Sequence, residues 1–208
     1  MEDIWRTVAA TTFRGKDIIL TQKDHHFRLC VGTRELMDSI HYTQDDLFAK
    51  EVCKRLPHNN KILLGGLGFG YTLNTVLTHT QGSVVVAEII PELVEWNNVF
   101  FGDQHLHQRV TLKVCDVMDL YTPNTYDAIL LDVDNGPVAL TCESNTALYS
   151  HSGLMKAKEA LREKGMLAVW SAFPDDEFTK RLKDVGFDVE EADHNISEKV
   201  HFWFAKLP

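Results

Sequence analysis

The sequence predicts an α/β protein: a doubly wound, mostly parallel seven-stranded sheet whose last strand is antiparallel, preceded by a small N-terminal β-hairpin segment. Two observations lead there. From Lys61 onward, short apolar runs alternate with helical patterns and turn signals, the rhythm of strand–helix–strand units. Near the C-terminus that rhythm breaks, because residues 187–191 and 200–205 are both strand-like with only a short polar turn between them. Such neighbours pair antiparallel, since a parallel pair needs a crossover of about a dozen residues or more.

Residues 17–38 alternate in short β-like pieces at 18–20, 27–31 and 35–37, with Gly32, Thr33 and Arg34 as a turn between the last two. A helix follows over 45–56, where Leu47, Phe48, Val52 and Leu56 make one apolar face. Asp45 and Asp46 suit its N-terminal end, and Pro57 with the polar residues after it closes it. The expected division is a small β segment plus helix over 1–57 and a nucleoside-binding domain over 58–208. In the second part, strands are expected at 62–64, 84–87, 110–114, 127–131 and 166–170, before the closing pair. Helices are expected at 72–79, at 91–100 with Pro91 in its first turn, at 147–163 and at 177–184.

Composition excludes several classes. The 208 residues are 44% hydrophobic and 25% charged, enough for a core, and no uncharged stretch approaches the roughly 20 residues that span a bilayer. No membrane is therefore an expected partner, and a net charge of −9 repels phosphate backbones, so nucleic acid is not an expected partner either. The first residues carry acids and no apolar core of a signal peptide. Cysteines at 30, 53, 115 and 142 form no close pair, which suits a reducing cytoplasm. The ten histidines are scattered or unaccompanied by helix-spaced carboxylates, so no metal site is expected. Short hairpins are marginal alone, which makes a homodimer the expected assembly.

Chemistry concentrates at the C-terminal ends of the predicted strands, where doubly wound sheets bind ligands. The first strand runs into a turn with Gly66, Gly68, Phe69 and Gly70. Glycines there let the backbone approach a nucleoside closely. The second strand ends at Glu88 and Ile89, and its carboxylate suits the ribose hydroxyls. The third is followed by Asp116 and Val117, an acceptor for an adenine amino group and a wall for the base. The fourth ends at Asp132, with Asp134 and Asn135 two and three residues on, facing the reactive centre as the catalytic set. With the antiparallel ending, this is the Rossmann-like pattern of class I S-adenosylmethionine-dependent transferases.

Over nearly its whole length the chain resembles the spermidine/spermine synthase family, and a divergent bacterial branch of it called spermidine-synthase-like. The similar stretches are ELMDSIH at 35–41, ILLGGLGFG at 62–70, VAEI at 86–89, CD at 115–116, YDAILLDVDNGP at 126–137, LYS at 148–150 and AVWSA at 168–172. The resemblance implies a class I methyltransferase sheet behind a small β-domain. It also implies S-adenosylmethionine or its decarboxylated form as cofactor and a small-molecule amine or other nucleophile as acceptor. By the same resemblance, Asp132 helps deprotonate the attacking amine, and His41 and Trp170 lie on the acceptor side.

Three positions depart from that family's pattern. Phe69 stands where spermidine synthases hold the amine of decarboxylated S-adenosylmethionine with an aspartate. Asn135 stands where a second aspartate grips the polyamine, with Asp134 as a partial substitute. Trp170 stands where a glutamine is usual. Two expected anionic partners of a dication are missing, and an unpaired buried amine costs several kcal/mol as an order of magnitude. Methyl transfer to a small molecule is therefore the first reading and aminopropyl transfer the second. A non-catalytic module that binds an adenosyl nucleoside is the third.

Overall fold

The computed structural model describes residues 4–133, 136–137, 145–195 and 199–208. Strands β1 (Arg6–Phe13), β2 (Lys16–Lys23), β3 (His26–Val31) and β4 (Arg34–Asp38) form an antiparallel meander in chain order. β1 extends the expected hairpin segment by a strand that the pattern did not announce. Its Ala and Thr side chains lie on an edge and are exposed or half-exposed, so no apolar alternation marks it. Helix α1 (Thr43–Cys53) follows and ends three residues earlier than expected.

The main sheet contains β5 (Lys61–Gly65), β6 (Ser83–Glu88), β7 (Val110–Val114), β8 (Tyr126–Leu131), β9 (Leu161–Ser171), β10 (Asp188–Asn195) and β11 (Lys199–Lys206). Its spatial order is β10-β11-β9-β8-β5-β6-β7, with β11 antiparallel to both neighbours, as the short final connection requires. Chain order reverses on either side of β5, which places a crevice at the C-terminal ends of β5, β6 and β8.

Alternation along each strand divides the core. Ile62 and Leu64 of β5 face one side, with Leu130, Ala168 and Phe202. They are covered there by Phe48 and Val52 of α1 and by Leu73 and Val76 of α2 (Tyr71–His79). Leu63 faces the other side with Ile129, Val169 and Trp203, under Leu154 of α5 (His151–Ala160) and Phe178 of α6 (Asp176–Asp184). Fully burying one such side chain is worth about 1.5–3 kcal/mol. α1, grouped by sequence with the N-terminal segment, thus packs on α2 and the main sheet. A third cluster joins the two sheets: Ile18, Leu20 and Leu29 of the meander meet Phe69, Ile90, Leu93 and Trp96. That cluster holds the meander over the crevice.

Two expected helices differ. The helix at 147–163 is two: α4 (Asn145–Leu148), then α5, which Ser150 starts by accepting a hydrogen bond from Gly153 N. A Cβ at residue 153 would lie 2.3 Å from the carbonyl oxygen of Ala147, so only glycine permits this break. At its far end Leu161 already pairs with Tyr126, and the next four residues bulge out before β9 resumes at Met166. The helix at 91–100 is α-helical only over α3 (Pro91–Trp96) and continues as a wider π turn, Asn97–Phe101. Among the described residues, no helix is long and apolar enough to cross a membrane.

Candidate functional site

A cleft of about 790 Å³ opens where the strand ends meet the meander and the start of α1. It is large enough for a nucleoside and a small acceptor together, since ligand pockets run to about 300–1,000 Å³. Gly66, Gly68, Phe69, Gly70, Glu88, Ile89, Asp116, Val117, Asp132, His41 and Trp170 all line it. Asp134 and Asn135 lie outside the described residues.

The glycine turn is shaped by contact. Gly66 has φ +91°, and a Cβ there would stand 2.4 Å from the carbonyl oxygen of Asp132. Gly70, at φ +86°, starts α2 from the left-handed region. Beneath the turn, Asn97 is fully buried: its Nδ2 donates to the Gly68 carbonyl at 3.1 Å and its Oδ1 meets His105 Nδ1 at 3.2 Å. The π turn puts Asn97 inside. Phe69 projects away from the glycine backbone into the cluster between the sheets, 2% exposed and stacked on Phe101 at 4.1 Å.

Glu88 is 4% exposed. Its Oε2 accepts from Leu67 N at 3.0 Å and its Oε1 from Ile90 N at 2.9 Å, tying the end of β6 to the glycine turn. Burial pushes its carboxyl up, against the backbone N–H groups that pull it down. The N–H groups of Gly68 and Ile89 act on it as well, so backbone donors surround the carboxylate where it lines the cleft. Asp116 caps the turn Val117–Leu120 by accepting from Met118 N at 3.0 Å through one oxygen. Val117 lines the cleft, whereas Met118 packs in the core below.

The opposite end is assembled from more distant segments. Asp132 Oδ2 accepts from Thr72 Oγ1 at 2.5 Å, and one helical turn on, Thr75 Oγ1 donates to Asp46 at 2.7 Å. Those two bonds set the start of α1 beside Asp132. Adjacent helical residues point about 100° apart, so only one of the two aspartates can face inward. Asp46 pairs with Lys50 at 2.6 Å, and Asp45 faces the cleft. Burial, with Asp132 and Asp38 nearby, pushes Asp45 well above the usual carboxylate range, and burial likewise raises Asp132 against its Thr72 bond. His41 Nδ1 lies 2.8 and 2.9 Å from the Asp38 oxygens, which leaves Nε2 as the nitrogen for a ligand. Despite burial, the backbone and ring N–H groups of His41 and the N–H of Ile40 hold Asp38 below its ordinary value.

Sequence reading missed Asp45, Asp38 and the meander's contribution to the wall, from Phe13 through Met37. For Asp45 a signal existed: Lys50 is spaced four residues from Asp46, not from Asp45. Nothing local marked the meander, because its approach depends on the cluster around Phe69.

No family model matches the chain, and no curated protein matches it in sequence. Solved structures do. The spermidine synthase from Thermotoga maritima superposes with TM-score 0.80 at 16% identity over 98% of this chain and 73% of its own. A spermidine synthase in complex with the transition-state analogue AdoDATO gives the same figures. Human methyltransferase-like protein 13 in complex with SAH gives 0.65 at 23% identity, over 81% of this chain and 82% of its own. At such identities the likeness is one of fold: this chain has a spermidine-synthase-like class I S-adenosylmethionine-dependent fold.

Proposed function

We propose that this protein is an S-adenosylmethionine-dependent alkyl transferase, and that the group it moves is methyl, delivered to a small-molecule acceptor. The observation that carries the reading is the convergence of the glycine turn, Glu88, Asp116 and Asp132 on one cleft, with Phe69 at its wall packed into the inter-sheet cluster. Having Phe69 there leaves the turn without a carboxylate for the amine of a decarboxylated cofactor. The residues fit the intact cofactor: the Gly66 cradle admits no Cβ, and Glu88 is already oriented by two backbone donors.

When bound, S-adenosylmethionine supplies a methyl group already activated by its sulfonium. The chain then has to bind, align and manage one proton. Glu88, which lines the cleft at the end of β6, accepts from the ribose hydroxyls. Asp116 accepts from the adenine amino group with the oxygen that does not cap Met118. Asp132, fixed by Thr72, orients the acceptor nucleophile and takes its proton.

Aminopropyl transfer is the second reading, supported by extent. The Thermotoga spermidine synthase matches 98% of this chain, the human methyltransferase 81%. Thermal denaturation separates the two. A ligand at 100 times its Kd adds about 2.7 kcal/mol. Stabilisation by S-adenosylmethionine and not by its decarboxylated form is the expected result; the reverse preference overturns methyl transfer in favour of the second reading.

A further inference from the structure

The acceptor end of the cleft combines an acidic floor with an aromatic exit. Leu131 of β8 is paired in parallel register with Val169 of β9, so the next residues, Asp132 and Trp170, lie side by side beyond the sheet. Both fall on the face covered by α1 and α2, where Asp45 also enters. Among the described residues Asp45 has no hydrogen-bond partner, and the nearby charges acting on it are the carboxylates of Asp132, Asp38 and Asp46. The indole nitrogen of Trp170 is a second, independent observation: it is buried, has no hydrogen-bond partner among the described residues, and belongs to a residue of the cleft wall. Two residues beyond Ser171, Phe173 lines the same cleft while 64% exposed. Tyr71 lines it too and is packed by Tyr42 at 5.3 Å between ring centroids.

Two carboxylates on one cleft without a cation are costly, and an ammonium between them relieves both desolvation and repulsion. A dication needs a second anionic pocket further out. Among the described residues Asp38 and Glu35 of the cleft wall are already paired, with His41 and Arg28, and the exit carries Trp170 and Phe173, which suit an apolar body and a cation–π contact near the head.

We infer that the acceptor is an amine with a single positive charge and an apolar, aromatic-sized tail, its nitrogen held between Asp45 and Asp132 and its tail against Trp170 and Phe173. The inference rests on the transferase reading above and names its substrate class. In the transfer, the ammonium gives one proton to the Asp132 carboxylate. The freed lone pair forms the bond to the transferred carbon, and the broken carbon–sulfur bond leaves its electron pair on sulfur as a neutral thioether. The alkylated nitrogen keeps one positive charge, and the proton on Asp132 passes to solvent.

Calorimetry on the protein saturated with S-adenosylhomocysteine tests this with three probes: 2-phenylethylamine, the uncharged 2-phenylethanol and the dication 1,4-diaminobutane. 2-Phenylethylamine should bind about tenfold or more tighter than either of the others. Asp45→Asn should abolish its advantage over the alcohol. Phe173→Ser, at an exposed position, should weaken 2-phenylethylamine roughly tenfold and leave 1,4-diaminobutane unaffected. Equal binding of amine and alcohol to the unmodified protein, or tighter binding of the diamine, overturns the inference. So does failure of all three probes while S-adenosylhomocysteine binds, and in that case the transferase reading stands. Failure of S-adenosylhomocysteine itself to bind removes that reading and this inference together.

Discussion

The two ends of the cleft hold their carboxylates in opposite ways. At the end proposed for the nucleoside, Glu88 is bonded to Leu67 and Ile90 N–H groups and Asp116 to Met118 N, all backbone donors. At the end proposed for the acceptor, Asp45 has no hydrogen-bond partner among the described residues, and Asp132 has the Thr72 hydroxyl. The first end has its carboxylates held by backbone donors before any ligand arrives. The second stores unfavourable charge that a ligand can neutralise. Substitutions should therefore weaken the protein at one end and strengthen it at the other.

The largest effect is expected at the junction of the two ends. Gly66→Ala places a Cβ 2.4 Å from the Asp132 carbonyl oxygen at φ +91°. Backbone strain and overpacking should together cost roughly 2–4 kcal/mol, read as a lower urea midpoint, and S-adenosylhomocysteine binding should vanish. Survival of binding in this variant would mean that the turn does not cradle the nucleoside. Glu88→Ala comes next. It leaves the Leu67 and Ile90 N–H groups unpaired in a buried site, at a cost of about 1–3 kcal/mol, and should remove the thermal shift caused by the cofactor.

Asp45→Asn should act in the opposite direction. Asp45 is raised in the folded state, so the unfolded chain releases its proton first as pH rises, and stability falls above the unfolded value of about 3.9. The variant should melt higher than the parent at pH 7, by about 2–4 °C per kcal/mol recovered, with the difference closing below pH 4. A lower melting temperature at pH 7 would show that Asp45 already has a stabilising partner.

The smallest effect belongs to the support beneath the glycine turn. His105 is 4% exposed, and burial pushes its ring below the ordinary value while Asp103 pulls it back up. Its unfolded form therefore binds protons more readily, and stability is lost as pH falls through about 6.5 toward the folded value. His105→Gln keeps a donor for Asn97 and should flatten that acid limb in a pH series of melting curves.

Much of the glycine-turn end was legible because it is local. β5, β6 and β8 are short apolar runs, β7 alternates, and the glycine turn, Glu88, Asp116 and Asp132 sit at or just beyond strand ends. A parallel sheet brings those ends to one edge whatever the remaining packing does. The antiparallel β11 was legible for the same reason, since a short connection leaves no other pairing. β1 was not, because its half-buried face of Ala9, Thr11 and Phe13 carries one large apolar residue, too little to announce a strand. The break between α4 and α5 was hidden because it depends on how closely Gly153 approaches the Ala147 carbonyl.

The sequence by itself determined the doubly wound sheet and the acids at its strand ends, since periodicity and connection length are properties of the chain alone. Only the tertiary structure decided that Phe69 turns into the inter-sheet cluster and that Asp45 lines the cleft while Asp46 bonds to α2. Side-chain direction at both places follows from what packs alongside, the meander against Phe69 and α2 against α1. Those neighbours are distant in sequence, and no local pattern encodes their approach.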